Sequence, residues 1–278
     1  MSTVSRILVD SRLRQPDSVS TSDFRIELNE TVAVEENMKC VVTDVCIPVC
    51  WYSIETNTND KLYLRLYDAS SLTSWKDHVL RMPARNYTST EFAQVMTQLF
   101  TDATIPLQAN DDPYRNLIRI FNTAGNDKSF SVFTNNDLKT RCNNTWTGEY
   151  YMTTNTQSVN DMMANSEGSM TIYNSSKIFE GGQFRSLPNQ AVYIVSPQLG
   201  NFRSMGPQGE RDILKKHVVQ ANPLEVSIDT VLNAEDCTDI SKRNFKSINF
   251  RLTDVYGNTV NLHGQNWSFT IIIMPNIY

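Results

Sequence analysis

The side chains able to do chemistry here are three histidines, five cysteines and scattered carboxylates, so their spacing decides what they can do. His78, His217 and His263 lie far apart, and none belongs to a His-Glu-x-x-His or Cys-x-x-Cys arrangement. With no second ligand at metal spacing, each reads as a surface or loop histidine. There is no Gly-x-Ser-x-Gly elbow and no phosphate loop. Gly206-Pro-Gln-Gly209 lacks the lysine and following helix that phosphate binding needs, and is expected to be a structured turn. Asn110-Asp111-Asp112 and residues 122–127 offer oxygen ligands, but not at calcium-loop spacing. No catalytic, cofactor or metal site is expected. Binding or assembly is left as the work of the surface.

The cysteines at 40, 46, 50, 142 and 237 are odd in number. The first three are separated by even numbers of residues along one apparent strand, which puts them on one face and keeps them from bridging each other. Free thiols made in a reducing intracellular compartment are expected.

Elements that could position a surface site follow from composition and period. The 278 residues are 40% apolar and 20% charged, with a net charge of −5. That describes an ordinary globular chain and argues against a general nucleic-acid coat or a polybasic membrane binder. No apolar run approaches the roughly 20 residues of a membrane span, and the first ten residues do not resemble a signal peptide. Alternating apolar residues predict strands at Phe24–Leu28, Leu62–Tyr67, Ala191–Val195, Ile213–Val219 and Glu225–Ile228. A long strand is expected from Lys39, with a bend or bulge at Pro48. Phe250–Leu252 and Val260–Leu262 read as a hairpin turning at Gly257-Asn258, followed by a closing strand from Trp267 to Ile273. A second strand–turn–strand is expected at Leu117–Phe121 and Phe130–Phe133, with Gly125 in the turn.

One long helix stands out. Thr88 or Ser89 caps it, Glu91 lies in its first turn, and Phe92, Val95, Met96, Leu99 and Phe100 form an apolar stripe. Residues 143–186 are rich in Asn, Thr, Ser, Met and Gly. The expected fold is mainly β: a single jelly-roll sandwich with an inserted subdomain containing one helix. Its parts are an N-terminal arm (1–22), a jelly-roll core (23–68 and 187–278) and an insertion (69–186). The arm has strand character around Ile7-Leu8-Val9 and is expected to pair with a neighbouring subunit. Its deletion should then weaken assembly and leave the fold intact.

Several blocks, taken in order, resemble a known family. They are Ile7-Leu-Val-Asp-Ser-Arg12 with Ser22-Asp-Phe24; Val41-Val-Thr-Asp-Val-Cys-Ile-Pro-Val-Cys-Trp-Tyr-Ser-Ile54; and Asn86-Tyr-Thr88. Gly206-Pro-Gln-Gly-Glu-Arg-Asp-Ile213, Phe250-Arg-Leu-Thr-Asp-Val-Tyr-Gly-Asn258 and Trp267-Ser-Phe-Thr270 complete the set. Together they are similar to the penton-type minor capsid proteins of double-stranded DNA viruses of the polinton, adintovirus and virophage kind. The likeness covers both ends well and the middle poorly.

The resemblance implies a structural role in the icosahedral virion capsid. Five copies would close the vertex as a homopentamer, contacting the major capsid protein, and the insertion would project toward a host receptor. The implied subunit interface takes in Arg6, Arg12, Arg14, Trp51, Tyr52, Met205 and Arg211. Implied exposed contacts on the insertion are Trp146, Tyr150 and Tyr151. The alternative is a jelly-roll ligand-binding or host-attachment protein, lectin-like, gripping its ligand with the loops around Trp146–Tyr151. An enzyme on a cupin-like barrel would need the histidine cluster that is missing.

Overall fold

The computed structural model describes residues 5–68, 71–123, 125–142, 158–164, 170–174, 176–187, 189–200 and 205–276. The chain divides into two compact units, Met1–Trp51 with Asn189–Tyr278, and Tyr52–Pro188.

The first unit is a sandwich of two antiparallel sheets. One sheet has the order β1 (Ser5–Asp10), β15 (Ser268–Pro275), β3 (Met38–Pro48), β12 (Val226–Asp229), with the short β13 (Thr238–Asp239) also pairing β3. The other has the order β11 (Ile213–Val218), β10 (Ala191–Val195), β14 (Asn244–Thr253), β2 (Asp23–Ala33). Leaving aside β13, every step along the chain crosses from one sheet to the other except the β10–β11 hairpin. This is jelly-roll connectivity, and the other unit leaves the chain between β3 and β10.

Both sheets bury their facing rows. Phe24, Phe250, Trp267 and Phe269 form an aromatic cluster that joins them, with Phe24 edge-on to Trp267 at 5.7 Å and Trp267 stacked on Phe269 at 4.9 Å. The Trp267 indole N–H donates to the Thr21 carbonyl at 2.8 Å.

Residues 5–10 are not a free arm. They pair along their length with β15, from Ser5 opposite Ile273 to Asp10 opposite Ser268, and Val9 is buried. The strand character read in the sequence is satisfied within the chain itself, because β15 would otherwise be an open edge. Ser11 then closes the start of the sheet by exchanging hydrogen bonds with Trp267.

Leu62–Tyr67, expected in the jelly-roll core, instead belongs to the Tyr52–Pro188 unit. There β4 (Lys61–Asp68) lies between β5 (Ser71–Arg81) and β8 (Phe130–Val132). A second three-stranded sheet has the order β6 (Leu107–Asp112), β7 (Leu117–Asn122), β9 (Phe179–Gln183). The expected hairpin of Leu117–Phe121 with Phe130–Phe133 does not form, because these strands enter different sheets.

Three helices are described in this unit where one was expected: α1 (Ser89–Asp102), α2 (Asn135–Cys142) and α3 (Val159–Met162). Thr88 and Glu91 cap α1 reciprocally, and Phe92, Met96 and Phe100 bury its apolar stripe in the unit's core. Asn160 on α3 is fully buried and ties β4 to the residue that follows β8. Its amide donates to the carbonyls of Tyr63 and Phe133, and its oxygen accepts from the Tyr63 N–H at 2.8 Å.

Two further expectations are corrected by local backbone. Asp44 has φ 50° at a register shift in the β3–β15 ladder. The shift switches the buried row from Cys40 and Val42 to Val45 and Ile47, so Cys40 faces the core and Cys46 does not. The hairpin predicted after Phe250 turns as expected, with Gly257 at φ 80°, but its return leg pairs only through Thr253 and Thr259. Val260 and Leu262 are buried without forming a strand, and the chain crosses to the first sheet as β15.

Candidate assembly surface

With no reaction centre indicated by the sequence, the site to examine is the pair of flanks where each sheet ends. On one flank β1 and β2 lie together, joined by residues 11–22. Arg12 folds back on Asp10, its Nε 2.9 Å from Oδ1. That hydrogen bond and the adjacent charge hold the Asp10 carboxyl below its usual value and raise the Arg12 guanidinium. The Arg14 guanidinium donates to the Ser11 carbonyl at 3.0 Å, and Arg25 pairs with Asp17 at 2.8 Å. The segment is thus fastened to the strands while Arg6, Arg12 and Arg14 remain exposed.

On the other flank β11 and β12 face one another across the sandwich. Lys215 on β11 is 2% exposed. Its Nζ lies 3.1 Å from an Asp229 oxygen, 3.8 Å from Asp236, 2.9 Å from the Val231 carbonyl and 3.4 Å from the Val42 carbonyl. Burial alone would push Asp229 up, but the Val231 N–H and Lys215 hold its carboxyl below the ordinary range. Two residues on, His217 Nε2 is 2.8 Å from the Ser227 hydroxyl on β12. His217 is fully buried, not the surface or loop histidine expected, and burial lowers its pKa. The cluster anchors the edge strand β12 and the loop after it. A groove of about 510 Å³ opens beside it, lined in part by Tyr193, Met205, Lys216 and Cys237.

Most of the expected interface residues fall on the two flanks. Arg6, Arg12 and Arg14 are on the first. Met205, 72% exposed, and Arg211 lie in the β10–β11 connection, next to a turn closed by Gly209 N–H to the Gly206 carbonyl at 3.0 Å. Trp51 is 2% exposed, so it is buried within the chain and cannot serve as a contact residue. Tyr52 is half-buried. Trp146, Tyr150 and Tyr151 lie outside the described residues.

Sequence reasoning missed Lys215 and His217, although one signal was present. Residues 220–236 contain four carboxylates and no base, which calls for a cation from elsewhere. Among the described residues no cluster of His, Cys, Asp and Glu could hold a metal ion, and no helix is long and apolar enough to cross a membrane.

The comparison that bears on this architecture is with a solved structure. The chain superposes on the mavirus penton protein. The TM-score is 0.53, the sequences are 10% identical, and the match covers 98% of this chain and all of that one. At that identity the likeness is one of fold, and it runs the length of the chain, including the excursion between β3 and β10. No family model and no curated protein sequence matches.

Proposed function

We propose that this chain is a structural capsid protein, the vertex protein of an icosahedral double-stranded DNA virus, working through assembly and not catalysis. What carries the reading is the end-to-end likeness to the mavirus penton protein, insertion included. A shared jelly roll alone would say little, since that fold serves many functions. The ordered blocks of sequence that resemble penton-type proteins point the same way.

In this reading five copies close a ring through head-to-tail contacts, as any heterologous interface does when its rotation divides a full turn. Met205 and Arg211 in the β10–β11 connection, and the arginines beside β1, take part in those contacts. The ring is seated among copies of the major capsid protein in the virion shell. The 52–188 unit carries any contact with a host receptor. Negative-stain images of the purified chain should contain rings whose class averages have fivefold symmetry. Images holding only single-copy particles at every concentration would count against the proposal.

A further inference from the structure

The exposed apolar side chains of the jelly-roll unit gather chiefly on its two flanks. On the β1–β2 side stand Leu8, Leu13 and Val19, each more than 75% exposed. On the β11–β12 side Val226 and Ile228 point outward from the edge strand, and Leu224 before it and Val231 and Leu232 after it extend the strip. Ser227, between two of them, points inward to His217. The outer face of the second sheet is different, carrying Arg25, Glu27, Asn249 and Arg251. Five exposed aliphatic side chains within nine residues, on and beside a sheet edge, form the kind of strip that marks association surfaces.

Charge identifies the occupant. Between residues 5 and 20, Asp10 and Asp17 are answered by Arg12 and Arg25, which leaves Arg6 and Arg14 in excess. Between 220 and 236, Asp229 and Asp236 are answered by buried Lys215, which leaves the exposed Glu225 and Glu235 in excess. The 5–20 segment is apolar and basic, with Asp23, Glu27 and Glu30 of β2 beside it, and the 220–236 segment is apolar and acidic, with Lys216 of β11 beside it. Each presents what the other lacks, and they lie at opposite edges of the same sheet.

We infer that the β11–β12 flank of one copy docks on the β1–β2 flank of the next, with the aliphatic strips packed together and Arg6 and Arg14 facing Glu225 and Glu235. The inference rests on the ring reading and names the surfaces that make it. It adds Leu8, Leu13, Val19 and the 224–232 strip to the interface expected from sequence. Salt should weaken the contact, since its charges are at the rim.

The test is particle mass of the full-length chain by sedimentation as a function of concentration. V226D/I228D should sediment as single copies while keeping the wild-type melting temperature. R6E/R14E and E225K/E235K should each raise the concentration needed for assembly about tenfold or more. The chain carrying all four charge reversals should recover, because the same pairs then meet with polarity exchanged; this arm holds even if the aspartate variant folds poorly. Assembly of all these variants at the wild-type concentration, or failure of the fourfold variant to recover, would overturn the inference and leave the ring reading standing. A wild-type chain that stays monomeric would sink the ring reading, and the inference with it.

Discussion

At the scale of single residues, Lys215 and His217 organise the flank on which the assembly argument depends. Lys215→Met would strand the Asp229 carboxylate beside an apolar side chain. Breaking a buried pair by removing one partner is strongly destabilising, so a loss of roughly 3 kcal/mol is expected in a denaturant titration. Lys215→Met combined with Asp229→Leu should recover part of it.

His217 predicts a pH dependence. Burial disfavours its imidazolium, Asp229 partly offsets that and Lys215 adds to it, so its folded pKa lies below the ordinary 6.5. The unfolded chain therefore takes up a proton first as pH falls. Stability should be full above about 6.5 and should decline below it. The carboxylates held below their usual values, Asp10, Glu91, Asp112, Glu180 and Asp229, act only at lower pH. Urea midpoints at pH 7.5 and 5.5 should differ more for wild type than for His217→Gln. Equal differences would show that His217 is not the group involved. His78 is shifted in the same direction and leaves a residual slope.

At the scale of elements, β1 is the part whose role changed most between sequence and structure. Alternation around Ile7-Leu8-Val9 revealed a strand, but a local pattern cannot say which edge it joins, and the pairing expected was with a neighbouring subunit. With Val9 buried and the strand laddered to β15, deleting residues 1–13 should destabilise the jelly roll by about 3 kcal/mol or more, not leave it intact. Thermal unfolding of the truncated chain decides this.

The same limit explains the hairpin that did not form and the one whose return leg makes no strand. Turn chemistry at Gly125 and Gly257 was legible, while the sheet each strand enters depends on partners far away in sequence. The Asp44 bulge was hidden too, since aspartate gives no signal of a positive φ inside a strand. The helix was fully legible, because its cap and stripe are local. Thr88→Ala should cost about 1 kcal/mol in the stability of the 52–188 unit, readable by hydrogen exchange in α1. On the candidate surface, the exposed arginines could be read from sequence. The burial of Trp51, Lys215 and His217 could not, because each depends on what packs over it.

At the scale of the whole molecule, three observations of different kinds converge. The topology is a jelly roll with a long excursion between β3 and β10, 98% of the chain superposes on the mavirus penton protein, and the 5–20 and 220–236 segments at the two flanks are opposite in charge and both apolar. An obligate ring usually buries 2,000 Å² or more per interface and is largely apolar, which suits edge strips that would otherwise stay in water. The measurement that reaches the central claim most directly is native mass spectrometry of the full chain at micromolar concentration. The account predicts a dominant species of five chains, about 158 kDa from a 31.7 kDa protomer. A spectrum containing only the 31.7 kDa chain, unchanged as concentration rises, would contradict it.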